Sequence, residues 1–291
     1  MSEQSKLADS TLTFYGAGSM AEAILRGLVE AKLIEPSRIT VLNRQNAERL
    51  RELSQAYGVI PAIEDHHKLD ALRTADIVVL GMKPKDAASA IRSLRPLLRP
   101  EQLIVSVIAG LSISTIHQLL DRPQPVVRTM PNTSSTIGLG ATGISFSESV
   151  TDAQRELSLA IFNAVGMSVV VDEPLIEAVN GVSGSGPAYI YFMMEAMIDA
   201  GVQLGLSREA ATALTVQTVR GAGEMVKITG EDPSELRRKV TSPNGTTFAA
   251  LEVMRQYGFQ EGMNKAILRC AERAREMGEA IRAEAASQQR Q

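Results

Sequence analysis

Tryptophan is absent from these 291 residues, aromatic side chains make up only 4%, and there are one cysteine and three histidines. Each shortage excludes something. A lone Cys270 cannot close an internal disulfide, and with so few histidines a Cys/His zinc site is not expected, so no metal is expected. Without Trp and with few other rings, the core must be built from aliphatic residues and methionine. The net charge is only −3, which gives no basic footprint for nucleic acid. No apolar run approaches the length of a membrane span. Met1-Ser2-Glu3-Gln4-Ser5-Lys6 lacks the basic-then-apolar pattern of a secretion signal. The expectation is a cytoplasmic protein with neither a nucleic-acid nor a membrane partner.

The chain is 44% hydrophobic and 22% charged, the balance of a globular protein, and it is long enough for two domains. The stretch around which it is organised is Thr11 to Ala21. Thr11–Tyr15 is a short β-rich run, Gly16-Ala17-Gly18 is a tight turn, and Met20, Ile24, Leu25 and Leu28 share one face of a helix opening at Ser19. Strand, glycine turn and helix N-terminus together suit a dinucleotide diphosphate. The first glycine lets the chain reverse, the second admits the backbone to the phosphates, and Ala21 supplies the third small residue. Alone, this G-x-G-x-x-A pattern also fits an ordinary strand-to-helix turn.

The context supports the functional reading. A second strand, Ile39–Leu42, ends in Asn43-Arg44, where an NAD-binding fold would carry an acid for the ribose hydroxyls. The missing carboxylate and the guanidinium favour a 2′-phosphate, hence NADP(H), with NAD(H) as the other candidate; a solvated arginine is the plain alternative. Further strands are expected at Gly58–Ile60, Asp76–Gly81, Leu103–Ile108 and Pro125–Met130, and Gly143–Phe146 and Met167–Val171 could extend the sheet. His66 and His67 sit in a polar stretch and are expected to face solvent. The carboxyl ends of the strands carry Met82-Lys83-Pro84, Ala109-Gly110 and Pro131-Asn132-Thr133. Such a pattern gives an α/β doubly wound parallel sheet over residues 1–172.

From Asp172 onward the chain reads as all-α. Gly181 to Pro187 holds three glycines and two serines and interrupts the helical pattern. The next helix, from Ala188, is apolar nearly all round and needs cover on most sides, so packing against another subunit is expected. Ser207 caps a helix running to about Thr229, and Asp232 opens a short one. The loop Thr241–Thr247 is either an interhelical turn or, by its hydroxyls and the N–H groups at a helix N-terminus, a carboxylate receptor. A final helical pair follows.

The second half also lacks acid catalysts. Residues 118–291 contain no His, no Tyr is followed four residues later by Lys, and no Lys lies between Pro174 and Glu224. Hydride addition to a carbonyl makes an alkoxide that wants a proton donor. A protonated imine gives a neutral amine and needs only a hydroxyl to orient its nitrogen. The absence therefore favours C=N reduction, with Lys83, Lys227 or a carboxylate as the groups that could weaken that reading.

Taken together, Gly16–Ala21, Met82–Pro84, Ser106–Gly110, Arg128–Thr133, Val182–Tyr189 and Thr241–Thr247 resemble the pyrroline-5-carboxylate reductase family along nearly the whole chain. The resemblance implies reduction of 1-pyrroline-5-carboxylate to proline with NAD(P)H, the last step of proline synthesis. It implies a Rossmann domain over 1–172 and a helical substrate-binding and dimerisation domain over 173–291, in a homodimer or a ring of dimers. Carried over, Gly16, Ala17, Gly18, Ser19 and Met20 contact the diphosphate, and Asn43 and Arg44 the 2′-phosphate. Met82, Lys83, Pro84, Ala109, Gly110 and Asn132 border the ribose and nicotinamide. Ser242 belongs to the substrate loop, the N–H groups of Gly245, Thr246 and Thr247 hold the substrate carboxylate, and the Thr247 hydroxyl bonds the imine nitrogen. Asn244 stands where the family usually has glycine, and Lys68 where many members have Asn. Two other readings remain: a related imine or carbonyl reductase for another small acid, and a non-catalytic dinucleotide-binding paralogue.

Overall fold

The structure is a computed structural model and describes residues 7–287. Eight strands form one sheet in the order β3-β2-β1-β4-β5-β6-β7-β8. They are β1 (Leu12–Tyr15), β2 (Ile39–Leu42), β3 (Ile60–Pro61), β4 (Ile77–Leu80), β5 (Leu103–Ser106), β6 (Val126–Met130), β7 (Gly140–Phe146) and β8 (Gly166–Val170). The intervening helices are α1 (Ser19–Glu30), α2 (Ala47–Tyr57), α3 (Asp65–Thr74), α4 (Pro84–Leu94), α5 (Ile113–Leu120) and α6 (Asp152–Asn163). The strand order reverses at β1, flanked by β2 and β4, so the crevice at the carboxyl ends of β1 and β4 is the natural ligand site.

The continuous apolar runs of β4 and β5 are buried at every residue, as a sheet covered on both faces requires. Alternate residues feed two cores. Phe14, Val79 and Val105 pack with Ile24, Leu28 and Phe162 on one face, while Val78, Leu80 and Ile104 pack with Ile91, Ile116 and Ile281 on the other. The sheet is parallel from β3 to β6, but β6 and β7 pair antiparallel, and β8 runs parallel to β7. The reason is length. Only Pro131–Leu139 separate β6 from β7, too few residues for a crossover, so the chain turns back through a short 3-10 segment, Thr133–Ile137.

Beyond β8 come α7 (Ile176–Val179), a π-helical segment over Asn180–Gly184, and α8 (Gly186–Gln203), α9 (Arg208–Thr229), α10 (Pro233–Lys239), α11 (Thr246–Gln256) and α12 (Phe259–Ser287). The glycine-rich interruption read at Gly181–Pro187 overlaps this π segment over Gly181–Gly184 and runs into the start of α8. Gly184 belongs to it because a Cβ there would stand 2.7 Å from both Asn180 Oδ1 and Met130 Cε.

The chain divides into two compact units, residues 1–185 with 269–291, and residues 186–268. Division by compactness and division by element type at 172/173 therefore fall at different points. Residues 173–185 stay with the sheet because Arg128 of β6, only 5% exposed, pairs with Glu173 at 3.3 Å and Glu177 at 2.5 Å. The end of α12 stays there because Ile281 and Ala285 are buried in the second core.

In the helical unit, Ser207 caps α9 by accepting from Ala210 N–H, and Asp232 caps α10 by accepting from Ser234 N–H. Helix α8 has no buried residue, and Phe192 is 76% exposed. An apolar helix in that state has more surface than its own unit can cover. No helix among the described residues is long and apolar enough to cross a membrane.

Candidate active site

Gly16 ends β1 in a conformation open to glycine, with φ +121°. A Cβ there would lie 2.4 Å from the carbonyl carbon of Gly81, so the turn can pass the end of β4 only without a side chain. Gly16 N–H donates to Leu42 O, and Gly81 N–H to Tyr15 O, both at 2.9 Å, which seats the turn between β2 and β4. Gly18 is the N-cap of α1, has no side-chain cap bond, and has open space where a Cβ would stand. The helix therefore presents uncapped first-turn N–H groups at the switch point of the sheet, a cradle that fits a dinucleotide diphosphate.

That turn borders a cavity of about 410 Å³ which brings together Gly16, Ala17 and Gly18 with Arg44, Met82 and Lys83; Asn43 lines it as well. Ser19, Met20, Pro84, Ala109, Gly110 and Asn132 are not among its lining residues. For several of them the structure gives another task. Pro84 is the first residue of α4, where a missing N–H costs nothing. Gly110 has φ +78° and a virtual Cβ 2.9 Å from Gly278 N, so it lets α12 approach the loop after β5. Asn132 donates to Ser183 O at 3.0 Å and accepts from Ala141 N–H at 3.2 Å, tying β7 to the π segment.

Arg44 and Asn43 differ in availability. The Asn43 amide is engaged in its own turn, donating to Asn46 O at 2.8 Å and accepting from Asn46 N–H at 2.9 Å. The Arg44 side chain is 78% exposed and has a carboxylate, Asp86, 3.9 Å away. An adjoining cavity of about 370 Å³ shares Asn43 and Arg44 and adds Lys68. Lys68 pairs at 3.0 Å with Asp65, itself 94% exposed. Such a pair contributes about 0–1 kcal/mol and releases its cation readily.

Sequence reading did not find the brace beside the turn. Arg49 in α2 donates from Nε to Ala17 O at 3.3 Å and pairs with Glu22 of α1 and, at 3.1 Å, with Glu52. Tyr57 Oη donates to Glu22 Oε1 at 3.0 Å. Burial works to lower the Arg49 pKa, but the pairs with Glu52 and Glu22 outweigh it and the net shift is upward. Burial first, and then Glu22, raise that of Tyr57. The sequence signal was faint: charged residues in the first turns of the two helices that follow β1 and β2.

In the helical unit, the loop between α10 and α11 places Asn244 at φ +57°. Asn tolerates this left-handed conformation, so the turn survives the exchange for glycine. Asn244→Ala should cost about 1 kcal/mol and Asn244→Gly should be neutral or slightly stabilising, read from thermal unfolding. Gly245 N–H donates to Ser242 O at 3.1 Å, so it is engaged within the loop rather than free for an anion. A Cβ on Gly245 would meet Ser242 Oγ at 2.4 Å. Gly245 caps α11 without a side-chain bond, leaving the N–H groups of Thr246 and Thr247 as the exposed end of that helix. Among the described residues no group of His, Cys, Asp and Glu is placed to hold a metal ion.

Residues 173–277 match the family described as pyrroline-5-carboxylate reductase dimerisation, and residues 11–110 match NADP oxidoreductase coenzyme F420-dependent. Pyrroline-5-carboxylate reductase 1 of Bacillus subtilis is 41% identical over 275 residues, 94% of this chain and 92% of that protein. The Pseudomonas aeruginosa enzyme is 41% identical over 273 residues, 92% of this chain and 98% of that one. The solved structure of the Coxiella burnetii reductase superposes with a TM-score of 0.85 at 37% identity, covering 92% of this chain and 98% of that one. The Plasmodium falciparum reductase, solved with NADP bound, gives 0.83 at 27% identity over 94% and 99%. Glycine turn, switch-point cavity, helical unit and these likenesses agree: the chain belongs to the pyrroline-5-carboxylate reductase family.

Proposed function

We propose that this protein reduces the C=N bond of 1-pyrroline-5-carboxylate to L-proline with NAD(P)H, the last step of proline biosynthesis. The observation that carries this reading is the glycine turn at the switch point, present in a chain 41% identical over 94% of its length to a reductase of that name. Residues 1–172 are assigned to the cofactor and 173–291 to substrate and dimerisation.

Gly16, Ala17 and Gly18 would hold the diphosphate against the N-terminus of α1. Met82 and Lys83 would line the ribose side. A reduced nicotinamide bound there supplies a hydride. Within the substrate loop, the N–H groups of Thr246 and Thr247 would receive the carboxylate, and the Thr247 hydroxyl would bond the ring nitrogen. With that nitrogen protonated, C5 accepts hydride, the C=N π electrons become the nitrogen lone pair, and no further proton is required from the protein. This matches the absence of His from residues 118–291.

We assign NADPH as the preferred cofactor on the strength of Arg44, with Lys68 as a second cation in the adjoining cavity. Arg44→Ser should raise the KM for NADPH about tenfold or more while leaving that for NADH within about twofold, because a hydrogen bond to a charged group is worth about 1.5–3 kcal/mol. Equal changes for both cofactors would remove Arg44 from this role. The exposed α8 face is the proposed dimer surface, with a ring of dimers as the larger assembly and the cytoplasm as the compartment. The decisive assay is oxidation of NADPH and NADH by purified protein with 1-pyrroline-5-carboxylate. Absence of turnover in protein shown to bind NADPH would overturn the assignment in favour of another cyclic imine or a binding role.

A further inference from the structure

A carboxylate stands beside the turn where an anion is to bind. Glu22 lies in the first turn of α1, the end whose N–H groups form the cradle. Its oxygens are taken by Arg49 and by Tyr57 Oη. Since Arg49 Nε also donates to Ala17 O, the Glu22 carboxylate is one guanidinium away from the backbone of the glycine turn. An acid in the first turn stabilises a helix through its macrodipole, and by the same sign it opposes an anion arriving at that end. Both side chains are only 28–30% exposed, so solvent screens the charge incompletely.

We propose that Arg49 is a positioning residue for the cofactor diphosphate: it cancels the Glu22 charge, so that the N-terminus of α1 keeps its attraction for an anion. The proposal rests on the dinucleotide reading of the turn. A planar fork suits it, because one guanidinium reaches Ala17 O, Glu22 and Glu52 at once; an ammonium could keep the charge but not this geometry. Tyr57 donates to the remaining Glu22 oxygen and holds the carboxylate on the α2 side.

The test is calorimetric titration of NADP⁺ into the full-length protein and its variants, with circular dichroism to check the fold. Arg49→Gln should bind about tenfold more weakly, the scale expected when a partly buried unit charge is uncovered near an anion. Glu22→Gln should bind at least as tightly as the wild type, since it removes the opposing charge and leaves Arg49 paired with Glu52 alone. The double variant Arg49→Gln/Glu22→Gln should recover to within about threefold. If Arg49 only packed the loop, the double variant would remain as weak as Arg49→Gln, since both lose the Ala17 contact; that result overturns the proposal, as does unchanged binding by Arg49→Gln. Should Arg49→Gln not fold, Arg49→Lys carries the test: affinity within about threefold supports charge cancellation, and a tenfold loss overturns it. Failure of the wild type to bind NADP⁺ would remove the dinucleotide reading and this inference with it. Wild-type binding without rescue in the double variant removes the inference alone.

Discussion

Thr247→Ala is expected to lower kcat for 1-pyrroline-5-carboxylate about a hundredfold, the loss typical of deleting one hydrogen-bonding group that is aligned in the transition state. Thr247 is the second residue of α11, whose capping position is Gly245, so the helix does not rely on its hydroxyl. The substitution should therefore leave thermal stability and NADPH affinity close to those of the wild type while turnover falls. Thr247→Ser keeps a hydroxyl and should retain at least about a tenth of the rate, because the orienting oxygen survives with a less restricted rotamer. The prediction follows from what the helical unit lacks. With no histidine after residue 117, a hydroxyl is well suited to orient a C=N nitrogen. A kcat within about threefold of wild type in Thr247→Ala would move the orienting role elsewhere.

Arg128→Ala is the variant with the largest expected effect on stability. Arg128 is 5% exposed and bridges Glu173 and Glu177, the latter only 14% exposed. Glu173 also accepts from Ile113 N–H at 2.7 Å, so one carboxylate fastens the start of α5 as well. Removing the cation leaves two carboxylates close together in a partly dry site, a change that costs about 3–5 kcal/mol. The measurement is the denaturant midpoint at fixed protein concentration. Arg128→Met combined with Glu177→Leu should recover much of the loss, because apolar replacement of a buried pair is often close to neutral. A cost below about 1 kcal/mol for Arg128→Ala would mean that water reaches this pair freely. Because the pair joins β6 to residues 173–177, its loss should also loosen the π segment that Asn132 holds through Ser183 O.

Much of the first unit was legible. Strands β4 and β5 are short runs of Ile, Val and Leu, and their burial on both faces follows from having no polar alternation. The glycine turn was readable because a backbone reversal against a neighbouring strand leaves no room for Cβ, and only glycine meets that condition. The direction of β7 was not legible. Its composition suits either direction, and only the short link after β6 decides, a length that counts once both strand ends are known.

The site divides in the same way. Arg44 could be read as a cation at the end of β2, since position along a strand fixes which end of the sheet a residue reaches. Asn43 beside it could not, because its amide turns inward to bond Asn46, a local alternative that any Asn before a helix offers. Gly245 was read as an anion donor, but its N–H closes the loop on Ser242. Arg49 and Tyr57 lie 27 and 35 residues from Glu22, and no periodicity brings them to it.

By itself the sequence determined the aliphatic character of the core, the alternation of strands and helices, the glycine turn, and the family, because these depend on residue type, period and local backbone freedom; the methionines expected in the core are not among its buried residues, Met20 and Met82 only packing at its edges. Only the tertiary structure decided the antiparallel return of β7, the attachment of residues 173–185 to the sheet through Arg128, and the arginine brace beside Ala17. Those depend on which distant groups meet across the fold, and pairing between distant charges leaves no periodic trace along a chain.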